Sequence, residues 1–403
     1  MTVGLSAYEE VKRRIKAKGA ITFAEFMEAA LYWPNGGYYT SGDPTGAKGD
    51  FYTSPGAHPA FGALLAAQAW QMWGLMGRTG NFWVLEQGAG DGLLCHDFMS
   101  YAAQLPDGFL DALRYLCIDR RGQAGAEGAL PRELSSRVQR VSASELSAQG
   151  VEGVVLSNEL LDAMPVHRVT ASGGRLYEVY VTLRGGEPAE TLDEPSTVGL
   201  EERLDRLGVK LTEGQTAEIN LGLEKWLGEV FSALKRGYVV TVDYGYQARE
   251  LYSIERKRGT LTTFYKHAQI DNPYVHIGQQ DMTSHVDFTS VVEMGRGAGL
   301  TPVALLPQAR FLANLGLRQM IAKLPSMGLE QRVRDANRMG MLELARAGGL
   351  GDFKVLIQCK DAPKGPLWGV EGGEEAARLV ESLPVPLRTA HHVPLMEGRW
   401  GLG

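Results

Sequence analysis

The chain of 403 residues has little cysteine, no long apolar run and only a small excess of charge. Its three cysteines, Cys95, Cys117 and Cys359, lie far apart in apolar surroundings, which argues against a disulfide framework and against a zinc knuckle. No segment approaches the roughly 18 consecutive apolar residues that a membrane span requires. A formal net charge of -6 makes nucleic acid an unexpected partner, although net charge alone does not exclude a local basic groove.

The N-terminal segment also lacks the features of a targeting sequence. Residues 1–19 contain no apolar central region and include Glu9 and Glu10, which fits neither a secretory signal nor an acid-poor transit peptide. The apolar content of 44% and the charged content of 22% are those of an ordinary globular protein. We therefore expect a folded cytoplasmic protein with one large domain or two modest ones.

The most informative stretch is FWVLEQGAGDGLLCHD, residues 82–97. Its apolar start predicts a strand that ends in the carboxylate of Glu86, and a helical pattern resumes at Leu93. Between them lie three alternating glycines: Gly88, Gly90 and Gly92. Glycine permits positive φ and close approach, and the start of a helix offers unpaired N–H groups. This strand, turn and helix can therefore cradle a nucleotide-like molecule; a glycine-rich turn without a ligand is the alternative.

The spacing of the glycines distinguishes between two kinds of cofactor. The dinucleotide pattern G-x-G-x-x-G would need a third glycine where the chain has Leu93 or Cys95. The observed pattern, E-x-G-x-G-x-G, instead resembles the first motif of class I S-adenosylmethionine (SAM) methyltransferases. In that motif the carboxylate at the strand end meets the cationic methionine part of the cofactor.

Further strands are predicted on either side of helical patterns. Residues 113–118 predict a strand followed by Asp119, which is placed either to bind ribose hydroxyls or to cap the strand end. Residues 151–157 predict a strand that runs into NELLDAMP, residues 158–165, at the sheet edge where α/β proteins bind ligands. Five rounds of strand and helix, followed by a closing pair of strands, predict an α/β fold with a largely parallel sheet and helices on both faces.

Three other segments carry less obvious chemistry. Residues 185–199 have the composition of an acidic Gly/Pro loop, and the tail after Pro363 looks like a loosely attached extension with His391 and His392 at its surface. The spacing of His267, His276 and His285 matches no closed zinc site, so we expect no metal.

Several separated blocks together resemble one family, the MidA-like proteins. The blocks are ITFAEFMEAALYWPNGGYY from Ile21, GDFYTSP from Gly49, LEQGAGDG from Leu85, NELLDAMPVH from Asn158, VDYGY from Val242, GTL with YKH from Gly259, DMTSHVDF from Asp281 and GDFKVLIQ from Gly351. They occur in the family's order over most of the chain. The mitochondrial members of this family are SAM-dependent protein arginine methyltransferases that act in the assembly of respiratory complex I.

The resemblance implies a class I methyltransferase fold, with a Rossmann-like, mostly parallel seven-stranded sheet. It implies N-terminal helices and a substrate-side loop at residues 1–60, and a methyltransferase domain at 61–360. Insertions at about 170–234 and 246–300 would form a lid or substrate region, and residues 361–403 a C-terminal extension.

The resemblance also implies a site for SAM, whose product is S-adenosylhomocysteine. The expected cofactor-binding residues are Glu86, Gly88, Gly90, Gly92, Asp119, Asn158, Asp50, Thr53, Ser54 and Pro55. An arginine acceptor is protonated in water and is a poor nucleophile, so carboxylates must orient it and accept a proton. We expect Glu159 and Asp162 to do this, with capping of a following helix as the alternative. His285, with Asp281 and Asp287, is expected to hold the loop over the acceptor.

Tyr52 and Tyr265 could line an arginine pocket by cation–π contact, with aromatic packing as the alternative. The chain also departs from the family at two places. Ala89 and Asp91 stand where the family usually has proline and arginine, and Gly56 and His58 where it usually has glutamate and serine. The second change lies near the expected substrate side and leaves the acceptor open.

Three functions follow from this pattern. The first is a methyltransferase acting on an arginine of a protein partner. The second is an assembly factor that binds SAM without transferring a methyl group, and the third is a methyltransferase acting on a small molecule. A scaffold need not keep both the cofactor groups and the acceptor groups, so the first is favoured. The sequence leaves the oligomeric state open, including a homodimer.

Overall fold

A computed structural model describes residues 4–40, 53–120, 125–142, 150–266 and 268–392. The sequence expectations for Asp50, Tyr52 and His267 lie outside these ranges. The chain forms two compact units. The first unit consists of Met1–Pro44, Leu160–Leu227 and Tyr244–Met294, and the second of Thr45–Glu159, Gly228–Asp243 and Gly295–Gly403.

The strands within the described ranges are short to medium in length. They are β1 (Ile21–Thr22), β2 (Phe82–Gln87), β3 (Leu113–Ile118), β4 (Val138–Val141), β5 (Val151–Asn158), β6 (His167–Ser172), β7 (Arg175–Arg184), β8 (Glu187–Asp193), β9 (Thr216–Ile219), β10 (Leu234–Asp243), β11 (Gly245–Tyr246), β12 (Thr262–Tyr265), β13 (Ala268–Ile270), β14 (Asp281–Thr283), β15 (Val286–Asp287), β16 (Thr301–Pro307) and β17 (Lys354–Lys360).

The helices of the same ranges vary from one turn to more than four. They are α1 (Ala7–Lys18), α2 (Phe23–Tyr32), α3 (Ser54–Ala57), α4 (Ala60–Leu75), α5 (Leu93–Ala102), α6 (Phe109–Ala112), α7 (Arg132–Ser135), α8 (Gly199–Arg206), α9 (Leu223–Ala233), α10 (Ala248–Leu251), α11 (Phe288–Gly297), α12 (Gln308–Leu315), α13 (Leu317–Lys323), α14 (Gln331–Glu343), α15 (Trp368–Glu371) and α16 (Glu374–Ser382). Short 3₁₀ helices lie at Ala126–Ala129, Leu324–Met327 and Leu350–Asp352.

The second unit is built on a mixed sheet with the strand order β16-β17-β10-β5-β2-β3-β4. The strands from β4 to β10 pair in parallel, whereas β17 runs antiparallel to both of its neighbours. The predicted α/β architecture is therefore confirmed, with a mixed sheet. Chain order reverses direction between β2 and β5, and the carboxyl ends of strands at such a switch point are where α/β sheets bind ligands.

A large apolar core surrounds this sheet. Helices α4 and α5 pack closely, because Gly62 has no side chain where a Cβ atom would lie 2.8 Å from the Cβ of Asp97. Aromatic side chains that are fully buried fill the spaces between the helices and the strands: Phe61, Phe98, Tyr115, Tyr238 and Phe311. This packing fixes the start of α5, which follows the glycine turn directly.

The first unit begins with two capped helices. The spacing of Thr22 and Glu25 in the sequence predicts a capping box at the start of α2, and the structure has it. Ser6 and Glu9 form a second capping box at α1. The helices pack with a sheet in the order β1-β7-β6-β9, to which β8 adds on β7. A smaller sheet has the order β13-β12-β14.

The prediction of a loop at residues 185–199 is wrong, because β8 lies within it and pairs antiparallel with β7. Gly185 and Gly186 have φ values of 60° and 89° and form the hairpin turn between the two strands. The exposed, acidic composition of β8 conceals the strand because its partner, rather than its own sequence, determines the pairing.

The prediction of a loosely attached tail is also wrong. Leu367, Val380 and Val385 are buried in the core of the second unit. His392 is buried rather than at the surface: its Nδ1 accepts from the Thr389 N–H at 3.1 Å, and its Nε2 donates to Asp97 Oδ2 at 2.9 Å. The tail's partners, such as Asp97, lie far away in the chain, so the local sequence of the tail does not predict this packing.

We expect His392→Ala to destabilise the protein, because it removes a hydrogen bond from the buried carboxylate of Asp97. An unsatisfied buried polar group costs about 1–3 kcal/mol of unfolding free energy. The thermal unfolding midpoint should therefore fall. His391→Ala is the matched control, since His391 is exposed and its loss should leave the midpoint unchanged. Equal midpoints for both variants would show that the tail contributes no stability through His392.

Candidate functional site

Glu86 lies near the carboxyl end of β2 and is 3% exposed. The hydroxyl of Tyr115, on the neighbouring strand, donates to its Oε2 at 2.8 Å. Burial raises the pKa of Glu86 to about 8, although the Tyr115 hydrogen bond and the charge of Arg140 act in the opposite direction. A cation bound beside this carboxylate would favour its ionised form.

The glycine turn follows with the predicted backbone. Gly88, Gly90 and Gly92 have φ values of 73°, 51° and 76°. Strand β3 holds the turn, because the Gly88 N–H donates to the Ile118 carbonyl at 2.8 Å and the Gly90 N–H to Asp119 Oδ2 at 2.8 Å. If Gly90 carried a Cβ atom, the Gly88 carbonyl oxygen, at 3.9 Å, would be its only neighbour within 4 Å among the described residues. Within that part of the chain, the backbone at Gly90 therefore borders open space.

Asp91, which departs from the family's motif, stabilises the turn itself. Its Oδ1 accepts from the Leu93 N–H at 3.1 Å, which satisfies a donor at the start of α5. Its carbonyl accepts from the Ala126 N–H at 2.5 Å. The first contact lies within the turn, and the second joins the turn to the 3₁₀ helix Ala126–Ala129.

Two residues that lie beside this turn were not predicted from the sequence. Glu127 lies in a 3₁₀ helix and Arg140 in β4, and their side chains form an ion pair with 2.6 Å between Nε and Oε1. Both side chains are almost fully buried, with exposures of 7% for Arg140 and 6% for Glu127. The only signal in the sequence was an arginine within the short apolar strand VQRV.

The structure brings Ser54 of the GDFYTSP block to Asn158 and Glu159 at the end of β5. Glu159 Oε1 accepts from the Ser54 N–H at 3.0 Å and from Asn158 Nδ2 at 3.0 Å. Thr53 Oγ1 accepts from the Gly56 N–H at 3.3 Å and caps α3, in which Pro55 occupies the first turn. The Ser54 hydroxyl donates to Gln308 Oε1 at 3.1 Å.

Two features of this strand end are typical of a ligand site. Glu159 has a φ of 50°, a backbone conformation that is uncommon for a residue with a side chain. Asn158 Oδ1 is buried and has no hydrogen-bond partner among the described residues. The alternative that these residues cap a following helix is wrong, because the next helix in the described part of the chain is α8, at Gly199.

His58, another residue at which the chain departs from the family, is a buried structural residue. Its Nδ1 accepts from the Ala60 N–H at 3.0 Å, and its Nε2 donates to Asn337 Oδ1 at 3.0 Å. Burial lowers the pKa of His58 to about 3, so the ring is neutral at physiological pH. Its contacts join α4 to α14 and explain why it is not at a surface.

Asp162 lies in the first unit and is 5% exposed. Its Oδ1 has no hydrogen-bond partner within the described ranges, whereas Tyr244 hydrogen-bonds to its carboxylate. Burial raises the pKa of Asp162 to about 6, and the hydrogen bonds from Tyr244 and the Ala163 N–H moderate that rise. Asp162 is thus a buried carboxylate that is ionised at neutral pH and has one uncommitted oxygen.

Aromatic side chains and a second carboxylate lie near Asp162 in the same unit. Tyr39 donates to Asp281 Oδ2 at 2.8 Å and stacks on Tyr32, with 5.4 Å between the ring centroids. Burial and the charges of Asp281 and Asp162 raise the pKa of Tyr39 well above its usual value. Tyr32 donates to the Ala163 carbonyl at 2.8 Å. These groups, with Tyr244, form a carboxylate and tyrosine cluster.

His285 contacts this cluster through aromatic rings. Its ring centroid is 5.2 Å from that of Tyr244 and 5.3 Å from that of Tyr246. Burial, with a smaller effect from Arg256, lowers the pKa of His285 to about 4, so the ring is neutral. Its Nδ1 is buried and lacks a hydrogen-bond partner in the described residues.

The other residues expected near the acceptor have separate partners. Asp287 accepts from the Ser290 hydroxyl at 2.6 Å and caps α11. Tyr265 stacks on His276, with 4.0 Å between ring centroids, in favour of the packing alternative. Within the described ranges, no group of three or more His, Cys, Asp or Glu side chains is arranged to hold a metal ion. In that same part of the chain, no helix combines the length and the apolar character needed to cross a membrane.

Comparisons with known proteins agree on one family. A family of S-adenosyl-L-methionine-dependent methyltransferases, Methyltransf_28, matches residues 64–305. The mitochondrial protein arginine methyltransferase NDUFAF7 of Rattus norvegicus is 26% identical over 79% of this chain and 77% of its own. The Homo sapiens protein of that name is 25% identical over 84% of this chain and 80% of its own.

A solved structure agrees with these relatives. A Burkholderia thailandensis protein, crystallised with S-adenosyl-homocysteine bound, has a TM-score of 0.82 and 29% sequence identity. The match covers 91% of this chain and 95% of that protein. The SAM cofactor expected from the sequence is thereby confirmed.

The expected cytoplasmic location is wrong by this comparison, because the matched NDUFAF7 proteins are mitochondrial. The resemblance seen in the sequence blocks is confirmed, and the fold, the family match and the bound product of the solved relative all point the same way. The chain belongs to the family of S-adenosyl-L-methionine-dependent methyltransferases.

Proposed function

We propose that this methyltransferase modifies an arginine side chain of a protein partner. The observation that carries the proposal is the environment of Asp162. This buried carboxylate has tyrosine neighbours and one oxygen without a hydrogen-bond partner in the described ranges. A guanidinium group is a planar cation that carboxylates and aromatic faces both attract. The relatives named as protein arginine methyltransferases support the same acceptor.

The residues of the second unit fit the cofactor. The carboxylate of Glu86 suits a cationic amino-acid portion, and the space that the described residues leave open beside Gly90 suits a closely approaching ligand. Asn158 Oδ1 offers an acceptor that has no hydrogen-bond partner among the same residues. When bound, SAM supplies a methyl group on an activated sulfonium. We propose that the expected set holds it: Glu86, Gly88, Gly90, Gly92, Asp119, Asn158, Asp50, Thr53, Ser54 and Pro55.

We propose distinct roles for the acceptor residues. Asp162 orients the protonated guanidinium and accepts the proton that its nitrogen releases as the new bond to carbon forms. Glu159, held by the Ser54 N–H and Asn158, is the second orienting carboxylate. His285 is neutral and positions Tyr244 by ring contact. Alignment and exclusion of water then supply most of the remaining rate enhancement.

We also propose the division of the chain into regions that the family resemblance implies. Residues 1–60, with the segments at 170–234 and 246–300, would form the substrate region. Residues 61–360 would carry the class I methyltransferase domain with its mostly parallel seven-stranded sheet, and 361–403 the C-terminal extension. A homodimer and a role in complex I assembly stay predictions.

Methyl transfer into a lysate tests the acceptor directly. The purified protein is incubated with SAM carrying a labelled methyl group and with host lysate, and the labelled protein and small-molecule fractions are analysed by mass spectrometry. We expect label on arginine side chains of few proteins. Label on lysine or only on small molecules would contradict the proposed acceptor. No label in either fraction, while S-adenosylhomocysteine still binds, would favour the non-catalytic assembly factor.

A further inference from the structure

The buried ion pair of Glu127 and Arg140 lies directly against the glycine turn. Arg140 Nη1 donates to the Gly90 carbonyl at 3.2 Å while its Nε donates to Glu127 Oε1. A Cβ atom on Gly92 would lie 1.5 Å from Glu127 Oε2 and 2.9 Å from Arg140 Nη2. The pair therefore contacts two of the three glycines.

The pair is itself anchored to the backbone at Gly125. Glu127 Oε1 also accepts from the Gly125 N–H at 3.0 Å. A Cβ atom on Gly125 would lie 1.8 Å from the Asp91 carbonyl oxygen, so this backbone and the turn are in close contact. Burial raises the pKa of Glu127, but the hydrogen bonds from Arg140 and from backbone N–H groups together lower it by more. The pKa of Glu127 is therefore below its usual value. The carboxylate is therefore ionised and paired.

Stability alone is a weak reason for this arrangement. Replacing a buried ion pair by apolar residues of similar volume is often neutral or stabilising. Here Glu127 Oε2 and Arg140 Nη2 are both buried without a hydrogen-bond partner in the described chain, which adds to the cost of the pair. The pair does, however, hold the Gly90 carbonyl from β4, while Asp119 holds the Gly90 N–H from β3. The turn is thus fixed from two strands.

We propose that Glu127 and Arg140 are positioning residues for SAM, which act by fixing the backbone from Gly90 to Gly92 before the cofactor binds. A preorganised turn loses less conformational freedom on binding, and the gain appears in affinity. The inference rests on the proposed role of the glycine turn in the cofactor site. It adds two residues to that role, neither of which needs to touch the cofactor.

The double variant Glu127→Leu/Arg140→Met separates affinity from stability. It replaces the pair by apolar side chains, so the thermal midpoint should stay close to that of the wild type, but the hydrogen bond to Gly90 is lost. We expect the Kd for S-adenosylhomocysteine, measured by calorimetry, to rise at least tenfold. The matched control is Asp111→Asn/Arg137→Gln, which removes a more exposed ion pair with 3.3 Å between its charged atoms and should leave the Kd unchanged.

Each outcome decides between the two proposals. All Kd values are measured at pH 8.5, where Glu86 is mostly ionised. A Kd within twofold of wild type in the double variant overturns the positioning role, provided that Glu86→Gln binds more weakly at this pH. If Glu86→Gln also binds as the wild type does at pH 8.5, the proposed cofactor site is wrong. Should the double variant not fold, Arg140→Lys keeps the charge but lacks the guanidinium fork. It should raise the Kd for S-adenosylhomocysteine without changing the midpoint, and an unchanged Kd overturns the inference.

Discussion

Asp162→Asn should lower turnover by at least about 100-fold, the lower end of what a general base contributes. Asparagine keeps the shape of the side chain and a group that can hydrogen-bond to Tyr244, but it cannot accept a proton. The affinity for S-adenosylhomocysteine should stay the same. The measurement is the initial rate of methyl transfer to the acceptor protein at saturating SAM, with the Kd determined separately.

The pH dependence gives the same prediction a second test. The pKa of Asp162 is about 6, so the ionised base is present above that pH and is lost as the pH falls through it. The wild-type rate should therefore fall about tenfold per pH unit below 6. Glu178→Gln is the matched control. Glu178 is a buried carboxylate of the same unit that accepts from His167 at 2.7 Å, and its replacement should leave turnover intact. A fully active Asp162→Asn would place the base elsewhere.

Much of the fold follows from local sequence. Strand β3 has the predicted bounds, because an apolar run ends at a charged residue, and the capping box predicts the start of α2. Strand β8 and the C-terminal tail were missed because their structure depends on distant partners: β8 on β7, and the tail on the core of the second unit. Local propensity carries little information on such contacts.

The same distinction between local and distant contacts explains which features of the site were predictable from the sequence. The turn from Gly88 to Gly92 is local, so its backbone was predictable from the need for positive φ. The contact of Tyr39 with Asp281 joins positions 242 residues apart, and spacing cannot predict it. The pair of Glu127 and Arg140 is closer in the chain, but it requires β4 to lie beside β3. The roles of departures such as Asp91 and His58 likewise became clear only from their hydrogen bonds.

Glu86→Gln should weaken the binding of S-adenosylhomocysteine by roughly 30-fold or more at pH 8.5, because removing one partner of a buried charge pair costs about 2 kcal/mol or more. Glutamine can still accept from the Tyr115 hydroxyl, so the fold around β2 should persist. Adenosine, which lacks the charged amino-acid portion, should bind equally to both proteins. Calorimetric Kd values for the two ligands measure this difference, and a loss of adenosine binding would indicate damage to the turn instead.

The pKa of Glu86 makes this difference depend on pH. In the free protein the carboxyl group has a pKa of about 8, so below that pH it must lose a proton when the cationic ligand binds. Wild-type affinity should therefore fall by up to about tenfold per unit as the pH drops from 8 to 6, whereas Glu86→Gln has no such proton to lose. Titration of the ligand's own groups occurs with both proteins and cancels in the ratio of their Kd values. The advantage of the wild type should shrink toward pH 6, and a ratio that stays constant from pH 6 to 8.5 would mean that Glu86 does not meet the charged part of the cofactor.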